Sequence, residues 1–243
     1  MMKSRNYSRK EDGTINQSKP LFECGFCGKS YQRESTLLAH MCEKKRRKDQ
    51  EKERGVQLGF KAYQRFYKLK QNANKTPSYT DFMDSQFYIA FVKFGRHIKM
   101  INAKKPDKFI DYVINNGVKL DKWCQDTVYD KYLIEMIKKE NPNDTLQRAF
   151  EVMIQWGDKH KAPWNHFFKY AAPQLVCHEI LRGNISPWVL YNCDTGIECL
   201  GNMNEHDVGM VFDYINPDFW TKKFEDYFAD VEYMKITLKE AGL

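Results

Sequence analysis

The sequence predicts a mainly α-helical protein that carries a small, separate module at its N-terminal end. Three observations lead there. From about residue 58 onward, apolar residues recur at three- and four-residue steps, the period of a helix face. No convincing run of alternating apolar and polar residues follows, so no sheet is expected outside a hairpin in the N-terminal module. Within the first 42 residues, Cys24-x-x-Cys27 has metal-ligand spacing, in a stretch too short to fold on a hydrophobic core.

The elements follow in order. Residues 1–20 are polar and read as a disordered basic arm without the apolar segment of a signal peptide. Residues 21–42 form the module. Residues 43–57 begin with twelve almost wholly charged positions and read as a linker or a helix extension. The helical domain then spans 58–243. Its first helix carries Phe60, Tyr63, Phe66 and Tyr67, interleaved with Lys61, Arg65, Lys68 and Lys70. Rings facing a core with cations in water explain this helix; stacking of single-stranded bases is the alternative.

Ser78 and Asp81 have capping-box-like spacing and should open the next helix, with Phe87, Phe91, Phe94, Ile98 and Ile101 inward and Gly95 within it. Pro106 starts a short helix with Phe109, Ile110, Val113 and Ile114 inward, and Gly117 ends it. Residues 119–139 read as one helix, stopped before Asn141-Pro142. Asp144 is placed to cap the next, whose stripe is Leu146, Ala149, Phe150, Met153 and Ile154. Short helices split by Pro163, Pro173, Pro187 and Pro217 should fill the rest, one capped by Ser186 with Pro187 in its first turn.

The chain of 243 residues suffices for one good-sized core plus the module. Seven irregularly placed cysteines argue against a disulfide framework and for a reducing, intracellular compartment. No stretch of about 18 apolar residues exists, so no membrane span is expected. The net charge of +7 is uneven. Residues 1–75 hold 19 Lys and Arg against 8 Asp and Glu, a net of +11; the remainder hold 20 against 24, a net of −4. A basic end of this kind suits a polyanion, most often nucleic acid; a solvated basic tail is the bland alternative.

The module carries the strongest signal. Phe22-x-Cys24-x2-Cys27-x3-Tyr31-x5-Leu37-x2-His40 resembles the Cys2His2 zinc-finger family position by position. The resemblance implies a ββα fold with Cys24, Cys27 and His40 on Zn2+ and a small core of Phe22, Tyr31 and Leu37. About 25 residues cannot bury enough surface to fold unaided, and a tetrahedral metal site supplies the missing energy. The fourth ligand departs from the family pattern, which places a His or Cys three to five residues after the first His. Cys42 lies only two residues on, and no other His or Cys precedes His97. Residues two apart on a helix point nearly opposite ways, so the helix must unwind or tighten at His40 for Cys42 to serve.

By the same resemblance, Arg33, Thr36 and Ala39 fall on the positions that touch base edges in DNA-reading members. Arg33 can pair with guanine, whereas Ala39 is too short for a base hydrogen bond. Lys44, Lys45, Arg46, Arg47 and Lys48 follow and can engage phosphates. Together these point to weakly specific binding of nucleic acid, DNA above all. A finger that binds protein, or pins the N-terminus to the body, is the competing reading.

No phosphate loop, dinucleotide fingerprint, His-Glu-x-x-His, deaminase signature or nucleophile elbow appears. His160 with His166, the set Cys177, His178, Cys193 and Cys199, and the acidic stretch 194–240 each have a structural explanation that outweighs a catalytic one. The chain as a whole looks like tailed-bacteriophage proteins that pair such a finger with a helical domain, which implies expression in an infected bacterial cytoplasm. The leading expectation is a non-enzymatic, zinc-binding, nucleic-acid-associated protein whose helical body recruits a protein partner. A nucleic-acid- or nucleotide-modifying enzyme with the finger as targeting arm, and an assembly protein with the finger as a dock, are the alternatives.

Overall fold

The computed structural model describes residues 21–70 and 76–243, together with the backbone of two short strands at 7–9 and 15–17. Those strands, β1 (Tyr7–Arg9) and β2 (Ile15–Gln17), pair antiparallel and stand outside the expectation that the module's hairpin is the sole sheet. The rest of the arm expected over 1–20 lies outside the described residues. The module's hairpin joins β3 (Phe22–Glu23) to β4 (Ser30–Tyr31), with Phe22 opposite Tyr31. Among the described residues every regular element beyond it is helical, as the periodicity predicts.

The chain divides into two compact units, residues 1–124 and 125–243, a boundary inside the stretch read from sequence as one helical domain. Unit 1 holds the hairpin, α1 (Glu34–Ala39), α2 (Glu43–Asp49), α3 (Arg54–Lys70), α4 (Tyr79–Asp84), α5 (Tyr88–Met100) and α6 (Pro106–Asn115). Its core is where α3 crosses α5, and three glycines permit the crossing. A Cβ on Gly95 would lie 2.1 Å from the Gly55 carbonyl oxygen and 2.3 Å from the Gly59 nitrogen. One on Gly59 would lie 2.5 Å from the Phe91 oxygen. The two backbones therefore touch without side chains between them. Aromatic rings fill the flanks: Phe82 stacks on Phe60 and tilts against Tyr63 and Tyr88, while Trp123 meets Phe91 and Phe94 edge-on. The indole N–H of buried Trp123 donates to the Val118 carbonyl at 2.8 Å. The α3 aromatics thus face a core, and their cations pair outward, Lys61 with Asp107 and Arg65 with Asp111.

Several boundaries differ from the sequence reading. Ser78 and Asp81 do form a capping box, but they open only α4; an extended Ser85 separates it from α5, and Phe87 is exposed. The helix read over 119–139 is a short 3-10 turn at Leu120–Lys122 and then α7 (Asp126–Lys139), because burying Trp123 bends the chain between them. Asn141, not Asp144, caps α8 (Pro142–His160): its side chain accepts from the Asp144 amide at 2.9 Å. Ile154, placed in the buried stripe, is exposed.

Unit 2 continues with α9 (Phe167–Tyr170), α10 (Pro173–Leu181), α11 (Pro187–Leu190), α12 (Asp194–Gly201), α13 (Glu205–Ile215), α14 (Pro217–Asp226) and α15 (Phe228–Glu240). Trp188, Trp220 and Phe224 form its aromatic centre. Ser186 caps α11 with Pro187 in the first turn, as expected. The fully buried Glu140 carboxylate pairs with Arg148 at 2.6 Å, and Arg148 also donates to the Gly183 carbonyl at 2.9 Å. Burial pushes the Glu140 carboxyl up, against the pull of Arg148. A buried pair of this kind fixes geometry more than it adds stability.

Candidate metal centre

The hairpin turn holds two of the four predicted donors. Cys24 N–H donates to the Lys29 carbonyl and Gly28 N–H to the Cys24 carbonyl, both at 2.9 Å. Gly28 sits at φ +71°, which a side chain would strain. The turn aims amides at the sulfurs. The Phe26 and Cys27 amides hold the Cys24 thiol below its usual value. At Cys27 the Lys29 amide pulls the same way, but desolvation and the neighbouring sulfurs outweigh it and the thiol is raised. Three sulfurs that repel one another when ionised are what a dication resolves.

His40 and Cys42 complete the set by breaking the helix. The α1 helix ends at Ala39, and His40 is extended at φ −70°, ψ 122°. Cys42 is extended too, at φ −83°, ψ 165°, so both side chains turn to one point. The unwinding that the two-residue spacing demands is present. Cys42 has a second task as the N-cap of α2, its Sγ accepting from the Lys45 amide at 3.4 Å. The donor atoms of Cys24, Cys27, His40 and Cys42 all lie within 4.8 Å of one another. Cys24 Sγ is 4.0 Å from Cys42 Sγ, and Cys27 Sγ is 3.3 Å from His40 Nε2. A tetrahedron on a metal with M–S near 2.3 Å has edges of about 3.5–3.8 Å, so the four fit one ion. This Cys3His cluster can hold a metal ion. The Tyr31 ring packs on His40 at 5.0 Å, with Phe22 and Leu37 half-buried nearby.

The residues expected to meet nucleic acid are divided. Arg33 precedes α1 as its N-cap residue and is exposed, as is Thr36. The basic run forms α2, a helix distinct from α1, and much of its charge is used within unit 1. Arg47 pairs with Glu43, donates to the Met83 carbonyl and covers the Tyr88 ring at 4.4 Å. Lys44 pairs with Asp84 at 2.8 Å and Lys48 with Glu51 at 2.6 Å. The Tyr79 hydroxyl donates to the Arg47 carbonyl at 2.7 Å. Lys45 reaches the His40 carbonyl at 3.5 Å, while Arg46 is exposed and, among the described residues, in no ion pair. The sequence reading allowed a helix here but missed this docking, whose partners Met83, Asp84 and Tyr88 lie 36–41 positions away.

Among the described residues no other group of three or more His, Cys, Asp or Glu is placed to share a metal. Cys177 and Cys193 donate instead to the carbonyls of Asp207 and Val189. His160 stacks on Trp156, and His166 meets Tyr170 edge-on. Buried Asp207 accepts from Asn204 and Gln174 at the start of α13. No helix among the described residues is long and apolar enough to cross a membrane. Comparison with protein-family models, curated proteins and solved structures returns no match.

Proposed function

We propose that the chain is a zinc-binding protein that associates with nucleic acid, DNA in the first instance, with little sequence preference. The convergence of Cys24, Cys27, His40 and Cys42 carries the reading. Three thiolates and an imidazole in a closed tetrahedral set suit structural Zn2+, with no position left for a substrate. Lys29, Arg33 and Arg46 are exposed cations without ion pairs among the described residues and supply the phosphate contacts; Lys44, Lys45 and Lys48 add to them at the cost of their present partners. Arg47 is committed inward and is left out. The six-residue α1, about 9 Å long, offers Arg33 and Thr36 as base-reading side chains, too few for an operator-type site. The phage-like composition makes an infected bacterial cytoplasm the setting to examine first.

The test is binding of the zinc-loaded chain to labelled single- and double-stranded DNA and RNA across a salt series. Binding that weakens steeply with salt and disappears with chelator is the expected result. No binding at low salt overturns the nucleic-acid reading and leaves zinc standing.

A second reading has its own support. The finger exposes Leu21, Phe26, Leu38 and Met41, an apolar surface that a phosphate backbone does not use. In that reading the finger docks a protein, and its complex ignores both nucleic acid and salt.

A further inference from the structure

The fourth donor of the cluster stands apart from the other three. Cys24 and Cys27 lie on the hairpin turn, and His40 directly follows α1. Cys42 instead begins α2 as its N-cap, with Sγ accepting from the Lys45 amide at 3.4 Å. The Lys45 ammonium reaches back to the His40 carbonyl at 3.5 Å and so spans the break between the two ligands. Whatever places α2 therefore places Cys42.

A helix of seven residues is too short to hold its shape alone. The body of unit 1 holds it instead. The Arg47 guanidinium donates to the Met83 carbonyl and lies 4.4 Å over the Tyr88 ring, and only 16% of its side chain is exposed. The Tyr79 hydroxyl donates at 2.7 Å to the Arg47 carbonyl, in the last turn of α2, where carbonyls have no partner within the helix. Lys44 pairs with Asp84 at 2.8 Å. These partners sit on α4 and at the start of α5, tens of positions beyond the cluster.

We infer that Arg47 is a positioning residue for the metal site: the docking of α2 on α4 and α5 presents Cys42 to Cys24, Cys27 and His40, and metal binding in turn tightens that docking. The inference rests on the metal reading above and adds that affinity is set partly outside the cluster. An ion gains affinity from a donor already in place. By linkage it stabilises docked α2 by the same factor. Arg46 and Arg47 also line one wall of a groove of about 910 Å³ whose other wall is α5, so the metal state governs how firmly that wall stands.

Charge alone predicts the opposite sign. Arg46 and Arg47 both place positive charge near a site for a dication, so removing either charge should raise metal affinity or leave it unchanged. Only docking makes the loss of Arg47 lower it. Arg46, exposed and in no ion pair among the described residues, is the matched control on the same helix.

Titration of the full, reduced, metal-free chain with Co2+, followed by the visible absorption of cobalt bound to thiolates, tests this. Arg47→Ala should weaken cobalt binding about five-fold or more. Arg46→Ala should bind as tightly as wild type or tighter. Tyr79→Phe, which removes one hydroxyl, should weaken binding about two-fold or more and serves where Arg47→Ala fails to keep its helical circular dichroism. Amide exchange with and without Zn2+ reads the reverse direction: the amides of α2 should exchange faster without the ion by a factor of the same order, while those at the α3–α5 crossing do not change. A wild type that takes up no cobalt overturns both this inference and the metal reading. Cobalt bound as tightly by folded Arg47→Ala and Tyr79→Phe as by wild type, an Arg46→Ala loss equal to that of Arg47→Ala, or α2 amides indifferent to Zn2+ each overturn the inference and leave the metal reading standing.

Discussion

The N-terminal Cys3His module and the α3–α5 crossing lie in the same unit and are built on opposite principles. Across residues 21–42 the single buried residue is Cys24, and the aromatic and aliphatic neighbours of the cluster are half-exposed. Burial there is too small to oppose chain entropy, and what the region offers in its place is four converging donors that can hold a metal ion. At the crossing, Phe82, Phe91, Phe94, Ile98 and Trp123 are essentially inaccessible, and backbone meets backbone at Gly55, Gly59 and Gly95. There the energy is apolar burial and close packing, at about 25 cal/mol per Å² of apolar surface. One region offers donors for a few strong metal bonds, and the other is held by many weak contacts. Cys42 joins them, since the same sulfur closes the cluster and caps α2, and α2 rests on α4 and α5 through Arg47 and Lys44.

The contrast can be broken most directly by denying the cluster its proposed metal. Chelation, or Cys24→Ser, should unfold residues 21–42 while the helical circular dichroism of the rest persists, since structural zinc supplies about 10–16 kcal/mol in such modules. Amide exchange resolved along the chain reads this, and finger amides that stay protected after chelation would show that burial suffices there. Next in size is Gly95→Leu. Its Cβ would meet backbone at 2.1 Å, so urea unfolding should show a loss of about 3 kcal/mol or more, with cobalt uptake at the finger unchanged in any molecules that still fold.

Smaller changes sharpen the comparison. Ser78→Ala removes the capping box of α4 and should cost about 1 kcal/mol of unit 1 stability in the same unfolding measurement. Glu53→Gln removes the exposed pair with Arg96 at 2.7 Å and should cost less than about 1 kcal/mol. The hydrogen-bonded Arg96 holds the Glu53 carboxyl below its usual value, so its contribution is present above the ordinary carboxylate range and is lost as pH falls through the lowered value. Melting curves of wild type and Glu53→Gln should therefore converge in acid. A gap that widens instead would mean that Glu53 acts through something other than Arg96.

What was legible in the sequence divides along the same line. Local signals read true: the Ser78–Asp81 box, Pro106 with Gly117 around α6, the Ser186-Pro187 cap, and the two-residue spacing that demanded an unwound His40. Elements set by distant partners did not. The helix read over 119–139 breaks because Trp123 turns into the core, and Ile154 lies on the outer face of α8. Arg47 looked like a phosphate ligand until Met83 and Tyr88, some 36–41 positions away, came beside it. A Lys/Arg run states how much charge is present, not what it faces.

By itself, the sequence determined the helical class and the four residues of the candidate metal site, because periodicity, caps and ligand spacing act over a few residues and are written in adjacent letters. Only the tertiary structure decided that Gly55, Gly59 and Gly95 form one crossing, that α2 docks on α4 and α5, and that α15 keeps an apolar face outward. The reason is physical: packing and ion pairing depend on which surfaces meet, and contacts across tens of residues leave no periodic mark in the chain that makes them.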